Sequence, residues 1–166
     1  GLGIIATLTP DNWEVELLDE NFDEFEYRKA DLVALTALTS SVTRAYEIAA
    51  TYREKGIPTV LGGIHASMMP EEAKNLVDTV VIGEVESVWK SLIEDFEKGE
   101  LKKQYMGKLL SMENAIRPTR SLFHKDYNFA SVQTTRGCPM SCDFCSVHTF
   151  NGNCYRLRPV EEVLDE

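Results

Sequence analysis

Three of the four cysteines of the chain, Cys138, Cys142 and Cys145, have the spacing C-x-x-x-C-x-x-C on a loop that contains glycine and proline. Thiolates are soft ligands, and three of them on one short loop can converge on a single metal centre. A cubane 4Fe–4S cluster has one more iron than this loop has cysteines, so one iron is left open for a small chelating molecule. The spacing therefore predicts an iron–sulfur site with an open iron.

Two other uses of these cysteines are open. Together with His148 they could bind zinc, although zinc sites usually contain paired C-x-x-C knuckles or a C-x-x-C with a distant partner pair. Disulfide bonds fit poorly because residues this close in sequence would need strained geometry. Cys154 lies outside the motif, and we expect it to be a bystander thiol.

The stretch from Val132 to Ser146, here called the cysteine loop, resembles the cluster loop of radical S-adenosylmethionine (SAM) enzymes. That motif has the same spacing and often an aromatic residue, here Phe144, before its last cysteine. The resemblance implies that Cys138, Cys142 and Cys145 hold a 4Fe–4S cluster whose open iron binds SAM. One electron from the cluster would then split SAM into methionine and a 5′-deoxyadenosyl radical. It also implies that Phe144 lies near the SAM adenine.

The elements that must position this loop alternate along the preceding chain. Short apolar runs predict buried strands at 31–38, 59–61 and 79–82, and amphipathic segments predict helices at 42–55, 70–77 and 86–98. The end of a helix is predicted at 1–8 and an alternating strand at 13–18. The pattern indicates an α/β fold, a Rossmann-like doubly wound parallel sheet with right-handed crossovers.

The predicted organisation has three regions: an α/β domain over residues 1–99, a linker over 100–127, and residues 128–166. By the resemblance, the last region is the start of a radical SAM domain, with the first strand (130–135), the cluster loop and a helix of a partial (β/α) barrel. Both ends interrupt a pattern, since the first helix has no strand before it and the last is cut at Glu166. We expect a truncated fragment that is inactive on its own.

Small, polar and glycine residues follow three of the predicted strands. Ligands of open α/β sheets bind beyond the carboxyl ends of the strands, and glycines let the backbone approach a flat ligand. The same glycines could instead serve only as tight turns. The candidate ligand contacts are Thr36, Leu38, Thr39, Ser40, Gly62, Gly63, His65, Gly83 and Glu84.

The order of these features resembles the cobalamin-dependent radical SAM enzymes, with similar stretches at 62–67, 81–86 and 156–162. The resemblance implies that the loop 36–41 and Gly62-Gly63 line the pocket for the nucleotide tail of cobalamin. The D-x-H-x-x-G motif, which supplies a cobalt-ligating histidine in classical cobalamin domains, is absent. We therefore expect His65 to be a buried or turn-stabilising residue rather than the lower cobalt ligand.

The resemblance implies an enzyme that cleaves SAM with a 4Fe–4S cluster and uses cobalamin to transfer a methyl group to an unactivated carbon. A C-methyltransferase is the preferred interpretation. The alternatives are a radical SAM cyclase or rearrangement enzyme without cobalamin, and a non-catalytic α/β ligand-binding module with a structural metal loop. The expected partners are a small-molecule or lipid-like substrate and an electron donor such as flavodoxin or ferredoxin.

Composition limits the remaining classes. The formal net charge of −10 argues against a surface that binds the phosphates of nucleic acid. No apolar run reaches the length of a membrane span. The clustered cysteines suit a reducing compartment, so we expect a cytoplasmic protein.

Overall fold

The structure is a computed structural model that describes residues 1–166, and its centre is a four-stranded parallel sheet. The strands lie in the order β1-β2-β3-β4, so each one pairs with the next along the chain. They are β1 (Val33–Thr36), β2 (Thr59–Gly62), β3 (Thr79–Ile82) and β4 (Gln104–Met106). This sheet confirms the predicted α/β class.

Seven α-helices and one short antiparallel strand pair complete the chain. The helices are α1 (Leu2–Leu8), α2 (Val42–Arg53), α3 (Ile64–Met68), α4 (Pro70–Leu76), α5 (Trp89–Glu97), α6 (Val147–Asn151) and α7 (Val160–Asp165). β5 (Thr135–Arg136) pairs with β6 (Arg156–Leu157). The 3₁₀ turns are Val85–Ser87 and Arg120–Leu122. No helix combines the length and the apolar character that crossing a bilayer would require.

Helices cover both faces of the sheet, as the nearly continuous apolar strands predict. Successive residues of a strand point to opposite faces. Leu61 and Val80 therefore pack with α2, α3 and α4 in one core, and Val60 and Val81 pack with α5 in the other. The sheet is doubly wound.

The register of the sheet aligns the ends of its strands. Thr36, the last residue of β1, lies beside Gly62, the last residue of β2, and Ile82 of β3 lies beside Met106 of β4. We call this side of the sheet, where all four strands end, the carboxyl edge. The loops that leave it lie next to one another although they are far apart in sequence.

The predicted strand at 13–18 does not form. This segment lines one side of a cleft of about 1660 Å³ and β1 lines another, so the segment has no ladder partner. α3 was not predicted, because Gly63 and Pro70 bracket a segment too short to show a periodic pattern.

The region predicted as a linker contributes β4 to the sheet. Its pattern is weak because only Tyr105 of this three-residue strand is buried. The predicted strand at 130–135 is reduced to Thr135–Arg136, whose partner is antiparallel, whereas barrel strands are parallel. The partial barrel and the limits of the three regions stay predictions.

Candidate functional site

Two adjacent glycines at the carboxyl edge have different surroundings. Gly63 has φ 95° and ψ −172°, and a Cβ placed there would lie 2.7 Å from Thr36 Oγ1 and 3.2 Å from the Ala37 carbonyl oxygen. A Cβ on Gly62 would lie 3.8 Å from the Val81 Cβ, which is an ordinary contact. Gly63 therefore allows the loops after β1 and β2 to touch, whereas the surroundings of Gly62 would accept a Cβ.

The loop after β1 is open to solvent. Thr36, Leu38, Thr39 and Ser40 are all exposed, and Leu38 is 58% accessible. Other exposed apolar residues are Met68 and Met69 at the end of α3, Met106 at the end of β4, and Leu109 beyond it. Exposed hydroxyls, backbone amides and apolar side chains together fit a large, flat macrocycle with polar substituents, which is the chemistry of a corrin.

His65 is buried and both of its ring nitrogens have partners. Nδ1 lies 3.2 Å from Thr39 Oγ1, and Nε2 lies 3.3 Å from Glu72 Oε1. The ring also packs edge-on against Tyr46. His65 joins the loop after β1 to α3 and α4 and has no free nitrogen for a metal. This is the turn-stabilising role expected from the missing cobalamin motif.

Ser67 ties two loops of the carboxyl edge together, a role that the sequence did not indicate. Its hydroxyl donates to the Gly63 carbonyl at 2.9 Å and accepts a hydrogen bond from the Gly83 N–H at 2.9 Å. Gly83 has φ 79°, a conformation that side-chain-bearing residues rarely adopt. Gly83 therefore turns the chain after β3 and directs Glu84 towards the cysteine loop.

Glu84, predicted as a cofactor contact, has a buried carboxylate that is occupied by protein partners. Oε2 accepts a hydrogen bond from the Leu110 N–H at 2.9 Å and another from Arg156 Nη1 at 3.0 Å. Arg156 Nη2 bonds the other oxygen, Oε1. Burial raises the pKa of Glu84, but the hydrogen bonds from Arg156 and Leu110 outweigh burial and hold it below its usual value. Glu84 is thus an anion bound to the segment that follows the cysteine loop.

Arg136, within the cysteine loop, makes a second connection to the same edge. Its guanidinium lies 3.3 Å from Glu84 Oε2 and 2.5 Å from Glu86 Oε1. In addition, α6, which follows the cysteine loop, contacts α3. The structure therefore lays the cysteine loop on the carboxyl edge of the sheet, beside the loops predicted to bind a cofactor.

Backbone contacts fix the two ends of the cysteine motif. The Cys138 N–H donates to the Gly152 carbonyl at 3.1 Å, and the Cys145 N–H donates to the Cys142 carbonyl at 3.0 Å. Gly137 has φ 84°, and a Cβ there would collide with the Cys154 carbonyl oxygen. The strap that runs from Gly152 to Arg156 therefore lies directly over the start of the motif.

The donor set of the motif suits an iron–sulfur cluster, although its thiols are not gathered around one point. Cys138, Cys142 and Cys145 are free and partly exposed, and no three Cys, His, Asp or Glu side chains are grouped as ligands for one ion. His148 is likewise not grouped with them. Phe144 is 93% exposed and free to stack on a ring.

A deep cleft lies away from most of these residues. It has a volume of about 1660 Å³ and follows the unpaired side of β1, between that strand and residues 13–18. Thr36 lines it, but the other predicted cofactor contacts do not. The predicted site is therefore the exposed carboxyl edge rather than this cleft.

Comparison with known proteins gives a family for the first region. The family model of the B12 binding domain matches residues 1–93, which contain β1 to β3 and the loops that follow these three strands. The matched segment is more than half of the chain.

Curated relatives extend across the cysteine loop as well. The chain is 38% identical to bacteriochlorophyllide d C-8(2)-methyltransferase of Chlorobaculum tepidum, over 95% of this chain and 37% of the relative. It is 30% identical to bacteriochlorophyllide d C-12(1)-methyltransferase of the same organism (98% and 38%) and 28% identical to hopanoid C-2 methylase of Rhodopseudomonas palustris (100% and 33%). The chain thus spans less than two fifths of the length of each of these relatives.

These matches establish the family of the chain but not its activity. The B12 binding domain match covers three of the four strands of the sheet whose carboxyl edge contacts the cysteine loop, and the relatives are methyl-transferring enzymes by name. The chain belongs to the B12-binding domain family, and its resemblance to the radical SAM enzymes that carry this domain is confirmed.

Proposed function

We propose that the protein is a radical SAM C-methyltransferase in which this chain supplies the cobalamin-binding sheet and the cluster-binding cysteine loop. The observation that carries the proposal is the position of the cysteine loop on the carboxyl edge of the B12-family sheet, through Glu84, Arg136 and Arg156. A radical generated at one cofactor must meet a methyl group carried by another, so the two binding elements have to be neighbours.

Cobalamin would be held by the open loop after β1 and by the backbone at Gly62. The hydroxyls of Thr39 and Ser40 can donate to polar substituents, and the exposed Leu38 side chain offers apolar contact. When bound, cobalamin supplies the methyl group. His65 contributes no lower ligand because its nitrogens are already bonded to Thr39 and Glu72.

The 4Fe–4S cluster would be held by Cys138, Cys142 and Cys145, and Phe144 would stack on the SAM adenine. When bound, the cluster and SAM supply the hydrogen-abstracting radical, with an electron from a donor such as flavodoxin or ferredoxin. The chain's own contribution is to supply the thiolates and to hold their loop against the sheet. Four free thiols and such a cluster suit a reducing compartment such as the cytoplasm.

The names of the relatives support a large, apolar substrate. Two of them act on a bacteriochlorophyllide and one on a hopanoid, which are bulky molecules with unactivated carbons. We infer a small-molecule or lipid-like acceptor of this kind, methylated at carbon.

The test is anaerobic reconstitution of the full-length protein with iron, sulfide and hydroxocobalamin, followed by measurement of 5′-deoxyadenosine from SAM. We expect cobalamin to be retained after desalting and 5′-deoxyadenosine to form. Cys142→Ala should abolish iron binding and SAM cleavage, whereas Cys154→Ala, a cysteine outside the motif, should leave both unchanged. SAM cleavage without retained cobalamin would favour the cyclase or rearrangement alternative. Absence of SAM cleavage in protein that holds its cluster would favour the non-catalytic module.

A further inference from the structure

We infer that Glu84 is a positioning residue that anchors the cysteine loop to the carboxyl edge through Arg156 and Arg136. The significance of the anchor for catalysis rests on the proposed function, since the loop is there taken to hold the cluster. The contact itself is a property of the chain without cofactors. It would fix the separation between the cobalamin-binding loops and the cysteine motif.

The backbone of Glu84 is held in place by the sheet. It follows β3 directly, after the left-handed turn at Gly83, and its backbone lies against Gly107, just beyond β4. A Cβ on Gly107 would collide with the Glu84 carbonyl oxygen, so the two backbones are in close contact. The Glu84 side chain is only 3% exposed. Its position is therefore set by the sheet and not by the cysteine loop.

The two arginines reach this carboxylate from paired strands. Arg136 in β5 lies opposite Arg156 in β6 in the antiparallel register, so both guanidiniums leave the same short ribbon. Both contact Glu84, and Arg136 also bonds Glu86. Two carboxylates thus neutralise two guanidiniums, which keeps any one of these buried charges from standing alone.

Arg156 connects more than the two strands. Its Nη2 donates to the Asn151 carbonyl at 3.0 Å, at the end of α6, and its Nη1 donates to the Leu110 carbonyl. Leu110 in turn donates its N–H to Glu84. One planar guanidinium therefore joins the sheet edge, the segment after β4 and the helix that follows the cysteine motif. Lysine could not reproduce this arrangement, because a single ammonium lacks the two-armed geometry.

Loss of these ion pairs should destabilise the cysteine loop and not the sheet. Removing one member of a buried ion pair leaves the other charge without a partner, which costs more than the pair contributes. The sheet has its own cores on both faces and does not need the arginines. Loss of Glu84 should therefore release the cysteine loop while the sheet stays folded.

The test is amide hydrogen exchange of the full-length protein without cofactors, read in the loop and in the sheet. The loop reporters are the amides of Cys138 and Arg158, which bond Gly152 and Thr134. We expect Glu84→Gln to accelerate loop exchange about tenfold or more and sheet exchange less than about twofold. Glu84→Asp, which keeps the charge on a shorter side chain, should fall between. Glu20→Gln is the matched control, because Glu20 forms an exposed pair with Arg44.

A double-mutant cycle tests whether Glu84 and Arg156 hold the cysteine loop through their mutual contact or stabilise it independently. If Glu84 acts through Arg156, the double variant Glu84→Gln/Arg156→Gln should match the more damaging single variant within about twofold. Three results would each overturn the inference. They are a double variant whose acceleration is the product of those of the two single variants, unchanged loop exchange in Glu84→Gln, and equal acceleration of exchange in the loop and the sheet. Because exchange is read without cofactors, the anchor can stand even if cobalamin retention and SAM cleavage fail.

Discussion

A methyl group at Gly63 should destabilise the sheet, whereas the same group at the neighbouring Gly62 should not. Gly63 has φ 95° and ψ −172°, a region of backbone space that is open essentially only to glycine. Gly62 ends β2, and its backbone φ is not positive. The two alanine variants differ by one position in sequence, so each controls for the other.

The expected loss in Gly63→Ala combines two costs. Backbone strain contributes about 1–3 kcal/mol. The new Cβ would also meet Thr36 Oγ1 at 2.7 Å and the Ala37 carbonyl oxygen at 3.2 Å, and only the threonine side chain can rotate away. We therefore expect a loss of about 2–4 kcal/mol in the free energy of unfolding. Gly62→Ala should stay within about 1 kcal/mol of the parent, because its Cβ meets only Val81 at 3.8 Å.

Urea unfolding followed by tryptophan fluorescence measures both losses, since Trp89 is buried in the core between the sheet and α5. Thr36→Ala in the Gly63→Ala background should recover only about 1 kcal/mol, since it removes one contact and leaves the strain and the carbonyl. Equal midpoints for Gly62→Ala and Gly63→Ala would refute the assigned role of Gly63. Full recovery by Thr36→Ala would show that the backbone strain is negligible.

Three further predictions concern buried polar groups. Asp78→Ala removes the acceptor that bonds both the N–H and the hydroxyl of buried Thr59 at 2.9 Å, and it should cost about 2–3 kcal/mol in thermal or urea unfolding. Burial and its hydrogen bond to Asp95 raise the pKa of Tyr105 to about 12. The stability from this neutral phenol should therefore be complete below its unfolded pKa of about 10 and be lost as pH rises through 12. Tyr105→Phe should reduce the late phase of an ultraviolet titration, and the remainder should come from Tyr46, whose pKa burial also raises to about 12. Glu84 has a lowered pKa, so its stabilisation should be present above its unfolded value of 4.5 and be lost as pH falls through the lower folded value. The protection of the loop amides, measured relative to their intrinsic exchange rate at each pH, should then fall in the parent protein but not in Glu84→Gln.

Local patterns made most of the sheet predictable. The strands β1, β2 and β3 are apolar runs bounded by turn residues. β2 and β3 are buried on both faces as such runs predict, whereas β1, at the edge of the sheet, is only partly buried. The prediction of α2 was also accurate, because its buried residues recur with helical spacing and Gly56 takes positive φ just beyond its end. Each of these signals is complete within about a dozen residues, so one sequence suffices to detect it.

Strands that depend on pairing with residues distant in sequence could not be predicted from local patterns. Residues 13–18 alternate like a strand, but a strand exists only when another backbone lies within hydrogen-bonding distance, and here a cleft separates them from β1. β4 shows the converse case, since it has almost no pattern of its own and is a strand because β3 offers its free side. An alternating pattern of apolar and polar residues indicates which side chains can be buried on one face. It does not show whether another strand is there to pair with the backbone.

The same distinction explains what was found and missed at the candidate site. The cysteine motif is visible in the sequence because its donors lie within one loop, and their chemistry does not depend on the rest of the fold. Glu84, Arg136 and Arg156 carry no comparable signal, since charged residues are usually exposed and the bonded pair Glu84–Arg156 is separated by 72 positions. Their burial becomes favourable only when all three meet, because each alone would be an uncompensated charge. The ligands of such a site can therefore be predicted from local spacing, whereas the contact that positions them is created by folding and has to be found in the structure.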